Sequence, residues 1–222
     1  KLLHRSRKRF LVNPTKSMLV GVLSQIVEFR NGESGLHVQH IRVLTEKILD
    51  HLLEKTSDYK ISAEEQDNIP LASALHDIGK ITIDETILNK PGRLTKEEFE
   101  VIKTHCMQGA NMLRRLENFE DEPLLQTAYD IARWHHERWD GRGYPDGLKG
   151  NDIPISAQIV SLADVYDALT SERCYKKAFS HETAMRMILN GECGAFNPLL
   201  LECLTDIQAE LQEKSQNIAV NH

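Results

Sequence analysis

Several things that would fix a fold class outright are scarce in this 222-residue sequence. Its four cysteines, Cys106, Cys174, Cys193 and Cys203, form no C-x-x-C pair, so neither a disulfide scaffold nor a Cys-ligated zinc motif is indicated; free thiols in a reducing compartment are expected. Twelve glycines and seven prolines are few for a turn-rich β protein and lean towards helix. No apolar run approaches the roughly 18 residues of a membrane span, and no signal-peptide core follows the basic start. Positive charge is not in excess: 33 acids face 27 bases, which argues against a nucleic-acid polymer as partner.

What is present is amphipathic helix. Pro14 opens a pattern with Met18, Leu19, Val22, Leu23, Ile26, Val27 and Phe29 apolar. That stripe serves core packing, or else a homodimer or signal-input contact. Further helices are predicted over about 34–55, from Ser62 to Gly79, over 96–117, from Pro123 to about His136, over 156–171, over 181–189 and over 198–214. Ser62 with Glu65 and Thr95 with Glu98 read as capping boxes. Residues 80–93 and the Gly-rich stretch 140–150 read as loops. No strand pairs are evident, and the expected fold class is all-α: a helical bundle with its chemistry in the core. Residues 1–13 read as a basic arm joining an upstream regulatory region, 14–214 as the folded domain and 215–222 as a frayed tail.

The ten histidines are not scattered evenly. His76-Asp77 ends one predicted helix, and His135-His136-Glu137 sits where another runs into the Gly-rich loop, flanked by Trp134 and Trp139. His37, His105 and Asp164 stand singly on other helices. Taken one at a time, His105 is a core histidine and Asp164 a solvated helix charge. Taken together, five His and two Asp form the ligand set of a two-metal hydrolytic centre, with an Asp able to bridge the ions. Imidazole and carboxylate suit iron or manganese, with nickel or zinc as alternatives.

Residues 135–145, H-H-E-R-W-D-G-R-G-Y-P, match the H-H-E-x-x-D-G-x-G-Y-P motif of the HD-GYP family. H-D-I-G-K (76–80), L-N-K-P-G-R-L-T (88–95), E-E-F-E-V-I-K-T-H (97–105) and A-D-V-Y-D-A-L-T-S-E-R-C-Y-K-K-A (163–178) flank it in order. The similarity runs over about residues 20–205, and the chain resembles this family throughout. The resemblance implies a cytoplasmic bacterial phosphodiesterase that cleaves cyclic di-GMP to linear pGpG, with GMP as a further product. Another cyclic dinucleotide or nucleotide as substrate, or a non-catalytic sensor of cyclic di-GMP, are the alternatives.

The same resemblance assigns roles. His37, His76, Asp77 and Asp164 would hold one divalent ion, and Asp77 would bridge to a second held by His105, His135 and His136. Glu33 is either the ligand of a third ion or a helix N-terminal carboxylate. Lys80 would stabilise charge at phosphorus beside Asp77. Tyr144 and Gly143 would lie against the nucleotide, Gly143 with Gly141 and Gly147 by adopting positive φ. Arg173 and Lys176 would bind phosphate or guanine, or else are exposed helix-end bases. The chain departs from the family pattern at His40, where arginine is common, at Cys174, where proline is common, and at Asn197, where aspartate is common.

Overall fold

The computed structural model describes residues 13–31, 36–172 and 177–212. Nine α-helices follow one another among them: α1 (Pro14–Arg30), α2 (Leu36–Lys55), α3 (Ala63–Ala72), α4 (Glu85–Leu88), α5 (Lys96–Arg114), α6 (Pro123–Trp134), α7 (Ile155–Thr170), α8 (His181–Leu189) and α9 (Pro198–Asp206). No strand occurs among the described residues, and the all-α expectation holds. No described helix is long and apolar enough to cross a membrane. Glu33, Arg173, Cys174 and Lys176 lie outside the described residues.

Local chemistry sets the helix starts. Ser62 accepts from the Glu65 amide while Glu65 reaches back to the Ser62 amide, and Thr95 and Glu98 repeat the arrangement. Asn13, with Pro14 after it, opens α1, and Ser180 opens α8. The core lies where α2, α3, α6, α7 and α9 meet, filled by Ile41, Ile48, Leu52, Ile131, Ile159, Leu162, Leu200 and Leu204, all essentially inaccessible.

Three expectations need correction. The helix begun at Ser62 does not run to Gly79: α3 stops at Ala72 and the chain tightens into 3-10 turns over 73–75 and 78–82. Side chains capture the carbonyls a longer helix would need, because Ser73 Oγ donates to Pro70 O (2.8 Å) and His76 Nδ1 to Ser73 O (2.8 Å). The stretch 80–93 is not all loop, since Asp84 caps the short α4 by accepting from the Thr86 amide. The apolar stripe of α1 is not core packing. Val27 alone of that stripe is buried, α1 facing the bundle through Val20, Ser24, Val27 and Glu28, while Met18, Leu19, Val22, Leu23, Ile26 and Phe29 are exposed.

Asn197 shows why asparagine stands where the family pattern has aspartate. It is buried, its Oδ1 accepts from the Leu199 amide at the start of α9 (3.0 Å), and its Nδ2 donates to Tyr59 Oη and Gln158 Oε1 (2.9 Å each). Gln158 Nε2 is committed to Ile153 O (2.7 Å), so the glutamine amide cannot turn to serve a carboxylate without losing that bond. Asn197→Asp is expected to lower unfolding free energy by about 1–3 kcal/mol, read as a shifted urea midpoint at unchanged slope.

Asp130 on α6 carries a second stability effect. Burial pushes its carboxyl up to about 6. A folded-state value above the unfolded one means that stability is full below pH ~4 and falls as pH rises through about 6. Thermal midpoints of Asp130→Asn and wild type should coincide near pH 4 and separate in favour of the variant above pH 6.

Candidate metal centre

Five histidines and two aspartates from five parts of the chain converge on one buried point. His37 comes from the first turn of α2, His76 and Asp77 from the link between the 3-10 turns, His105 from α5, His135 and His136 from the end of α6, and Asp164 from α7. Two sets of ligand atoms result, each lying within 4.8 Å of one another: His37, His76 and Asp164 in one, His105, Cys106, His135 and His136 in the other. Asp77 stands between them. Its Oδ2 is 3.2 Å from His76 Nε2, and its Oδ1 is 3.3 Å from His105 Nε2 and 3.8 Å from His135 Nε2. His37 Nε2 lies 3.8 Å and His76 Nε2 4.0 Å from Asp164 Oδ1.

The backbone explains how these parts approach so closely. A Cβ on Gly79 would sit 1.9 Å from the His105 carbonyl oxygen, and one on Gly109 would sit 3.0 Å from the Gly79 nitrogen. Two glycines thus let the turn carrying Asp77 lie directly on α5.

The rings are aimed by their far nitrogens. His76 Nδ1 donates to Ser73 O, His105 Nδ1 to Ile102 O (2.6 Å) and His135 Nδ1 to Ile131 O (2.9 Å), which leaves each Nε2 facing inward. His37 is oriented differently: its Nδ1 donates to Asp167 Oδ2 (2.6 Å). Asp167 also accepts from His40 Nδ1 (2.9 Å) and Ser171 Oγ (2.8 Å). Although burial favours the neutral acid, the bonds from His37 and His40 hold its carboxyl well below the usual range.

Electrostatics match this geometry. Burial pushes the imidazoles of His105 and His135 down, and that of His136 down to about 3, so all three are neutral lone-pair donors. Burial opposes a charge on His76 too, but the adjacent Asp77 carboxylate outweighs it and pushes His76 up to about 9. Asp77 resists burial through Lys80, whose Nζ lies 2.6 Å from its Oδ2, and is held well below the carboxylate range.

These residues fit divalent cations. The Nε2 atoms of His76 and His135 are buried and meet no hydrogen-bond partner among the described residues; the close Asp77 oxygen is not aligned to serve His76. An orphaned buried polar atom costs about 1–3 kcal/mol, and two converging beside a carboxylate make a ligand set. A neutral-imidazole and carboxylate donor set of this kind suits borderline first-row metals.

The Gly-rich loop is fastened to α6. Glu137, buried, accepts from the amides of Asp146 (2.7 Å) and Gly147 (2.9 Å). Asp146 in turn takes a forked pair from Arg133 (2.8 and 3.1 Å) and the Trp134 indole N–H (2.7 Å). Tyr144, followed by a cis bond to Pro145, packs on the His136 ring at 4.8 Å. Gly143 does not take positive φ as expected; Gly141 and Gly147 do. Its lack of a side chain serves packing, since a Cβ there would lie 2.4 Å from Glu137 Cα and Arg138 N.

Sequence reasoning missed four contributors. Asp167 lies three residues after Asp164 and so on the same side of α7, which is the signal that could have found it. Glu28 is buried on α1 and accepts from the Val38 amide (3.0 Å), fixing the turn that carries His37; no motif marks it. Cys106 is buried with Sγ 3.5 Å from His105 Nε2, and burial pushes its thiol well up. Glu137 was grouped with the histidines, but it binds the loop. Asp167→Asn should weaken metal affinity on the order of 10–100-fold with the fold intact, measured by chelator competition alongside circular dichroism.

Comparisons with known proteins agree with this geometry. The HD domain family profile matches residues 23–194. A probable cyclic di-GMP phosphodiesterase of Vibrio cholerae is 41% identical over 188 residues, covering 83% of this chain and 42% of its own length. A 3'3'-cGAMP-specific phosphodiesterase of the same organism is 40% identical over 192 residues, covering 86% of this chain and 35% of its own. The chain therefore spans less than half the length of these relatives. An HDG"Y"P protein from Bdellovibrio bacteriovorus superposes with a TM-score of 0.57 at 19% identity, over 87% of this chain and 63% of that one. On the profile match and the shared helical architecture, the chain belongs to the HD domain family.

Proposed function

We propose that the chain is a metal-dependent phosphodiesterase that hydrolyses cyclic di-GMP to linear pGpG. The observation that carries this reading is Asp77, which directs one carboxylate oxygen at each of two converging histidine sets. Those sets would hold two divalent ions, assigned as iron or manganese among the first-row metals that the donors suit: His37, His76, Asp77 and Asp164 one, Asp77, His105, His135 and His136 the other. Glu33 is assigned to a third ion. When bound, such ions supply positive charge against a phosphodiester and acidify water.

The chain's own groups do the rest. The backbone-held imidazoles cannot turn away, so the ligand cage is organised before substrate arrives. Lys80 places an ammonium on Asp77 Oδ2, beside the point where charge builds on the phosphoryl oxygens as water bonds to phosphorus and the P–O3′ bond breaks. Tyr144 gives the nucleotide an aromatic wall next to His136, with Gly143 allowing the loop to fold against α6. Arg173 and Lys176 are assigned to the phosphate or guanine.

A second reading, hydrolysis of a cyclic GMP-AMP dinucleotide, is favoured by the comparable identity to the cGAMP-specific relative. Protein purified without oxygen, with metal content measured on the same sample, decides between them. Conversion of cyclic di-GMP to pGpG faster than any conversion of 3'3'-cGAMP is expected, and the reverse order selects the second reading. Asp77→Asn should lower turnover by at least about 10³-fold and strip most of the metal. Full activity in that variant would exclude Asp77 as the shared ligand.

A further inference from the structure

A row of rings leads outward from the metal centre. The His135 and His136 rings lie 4.0 Å apart and tilted by 42°, His136 and Tyr144 follow at 4.8 Å, and Phe99 meets Tyr144 edge-on at 6.3 Å with an interplanar angle of 82°. Exposure rises along it: His135 is 1% exposed, Tyr144 is half-buried and Phe99 is 46% exposed. A lone exposed phenylalanine would mean nothing. This one ends a continuous aromatic path that starts at the ligands, and it stands on α5, the helix that carries His105.

Charge accompanies the aromatic surface. Lys103 Nζ lies 5.7 Å from the ring centroids of both Phe99 and Tyr144. Its partner is Glu100, 2.7 Å away and itself 67% exposed. With its carboxylate so open to water, the pair binds weakly, and the half-buried Lys103 ammonium can exchange it for an arriving anion. Flat hydrophobic surface with an ammonium above it is the chemistry that takes a nucleobase joined to a phosphate.

We propose that Phe99, Lys103 and the outer edge of Tyr144 form a base-binding subsite, in which Phe99 stacks a purine of the dinucleotide and Lys103 contacts an adjoining phosphate. The subsite rests on the phosphodiesterase reading above and adds to it residues outside the ligand set. Phe99 and Lys103 hold no ligand position, so their effect falls on substrate binding.

The test is steady-state kinetics on cyclic di-GMP with the metal-loaded full chain. Phe99→Ala should raise KM on the order of tenfold, with the effect on KM rather than kcat and with metal content unchanged. Phe99→Trp should restore KM, and Phe99→Leu, apolar without a π face, should not. Lys103→Met should raise KM several-fold and flatten its dependence on salt. A KM for Phe99→Ala within twofold of wild type, or equal rescue by Leu and Trp, would overturn the subsite. Wild-type protein that leaves cyclic dinucleotides intact would overturn the phosphodiesterase reading instead. The subsite is then decided by titrating Phe99→Trp with cyclic di-GMP: additional fluorescence quenching relative to wild type supports it, and an unchanged signal rejects it.

Discussion

Everything at this centre depends on one shared carboxylate. Asp77 must be buried to lie between two sets of imidazoles, and a buried carboxylate is costly unless it is paired. Lys80 supplies part of that pairing, and His76 supplies most of the rest. The arrangement also explains the break in the chain after Ala72. The chain leaves the α-helix after Ala72, and the 3-10 turns, held by Ser73 and His76, carry Asp77 to the centre. Gly79 and Gly109 then make the final approach possible, because neither position has room for a methyl group.

The two halves of the centre are built with different degrees of independence. His105 and His135 are aimed by carbonyls three and four residues earlier on their own helices. Such bonds form with the helix itself. His37 instead depends on Asp167, far along the chain on α7, and on Glu28, which ties α1 to the start of α2. The half containing His37 therefore requires α1, α2 and α7 to be packed together before its ligands are aimed. The histidines of the other half need the crossing of α5 and α6, and its carboxylate needs the turn that carries Asp77 to lie on α5.

This difference marks how far the sequence could be read. Capping boxes and most helix positions were legible, because each is a local pattern of residue types at short spacing, and the candidate histidines and aspartates were legible as residue types within motifs. The motif ending at Pro145 put His135, His136 and Tyr144 in one short stretch, and the structure brings their rings together. What could not be read were contacts between distant segments. Asp167 looks like any helix carboxylate until α2 is laid beside it, and Cys106 looks like a core thiol until His135 arrives. Gly143 invited the commonest explanation for loop glycine, positive φ, when the cause is the backbone of Glu137 and Arg138 pressed against it. The α1 stripe has helical spacing, but spacing cannot tell which face of a helix meets the bundle; Val20 and Ser24 settle that only in three dimensions.

The aromatic wall and the ligands share a framework that fixes one against the other. The Tyr144 amide donates to the His136 carbonyl (3.2 Å), and Glu137 and Asp146 bind the loop to the helix that ends in these histidines. Phe99 and Lys103 stand on α5 with His105, and α5 is set against Asp77 by the glycine contact. A substitution at the wall can therefore change what is held outside the centre without moving what is held inside it. On the function proposed above, base preference can then vary at such outer positions while Asp77 and the histidines stay unchanged. If that function holds, the separation lets one helical scaffold keep its chemistry while its nucleotide preference changes.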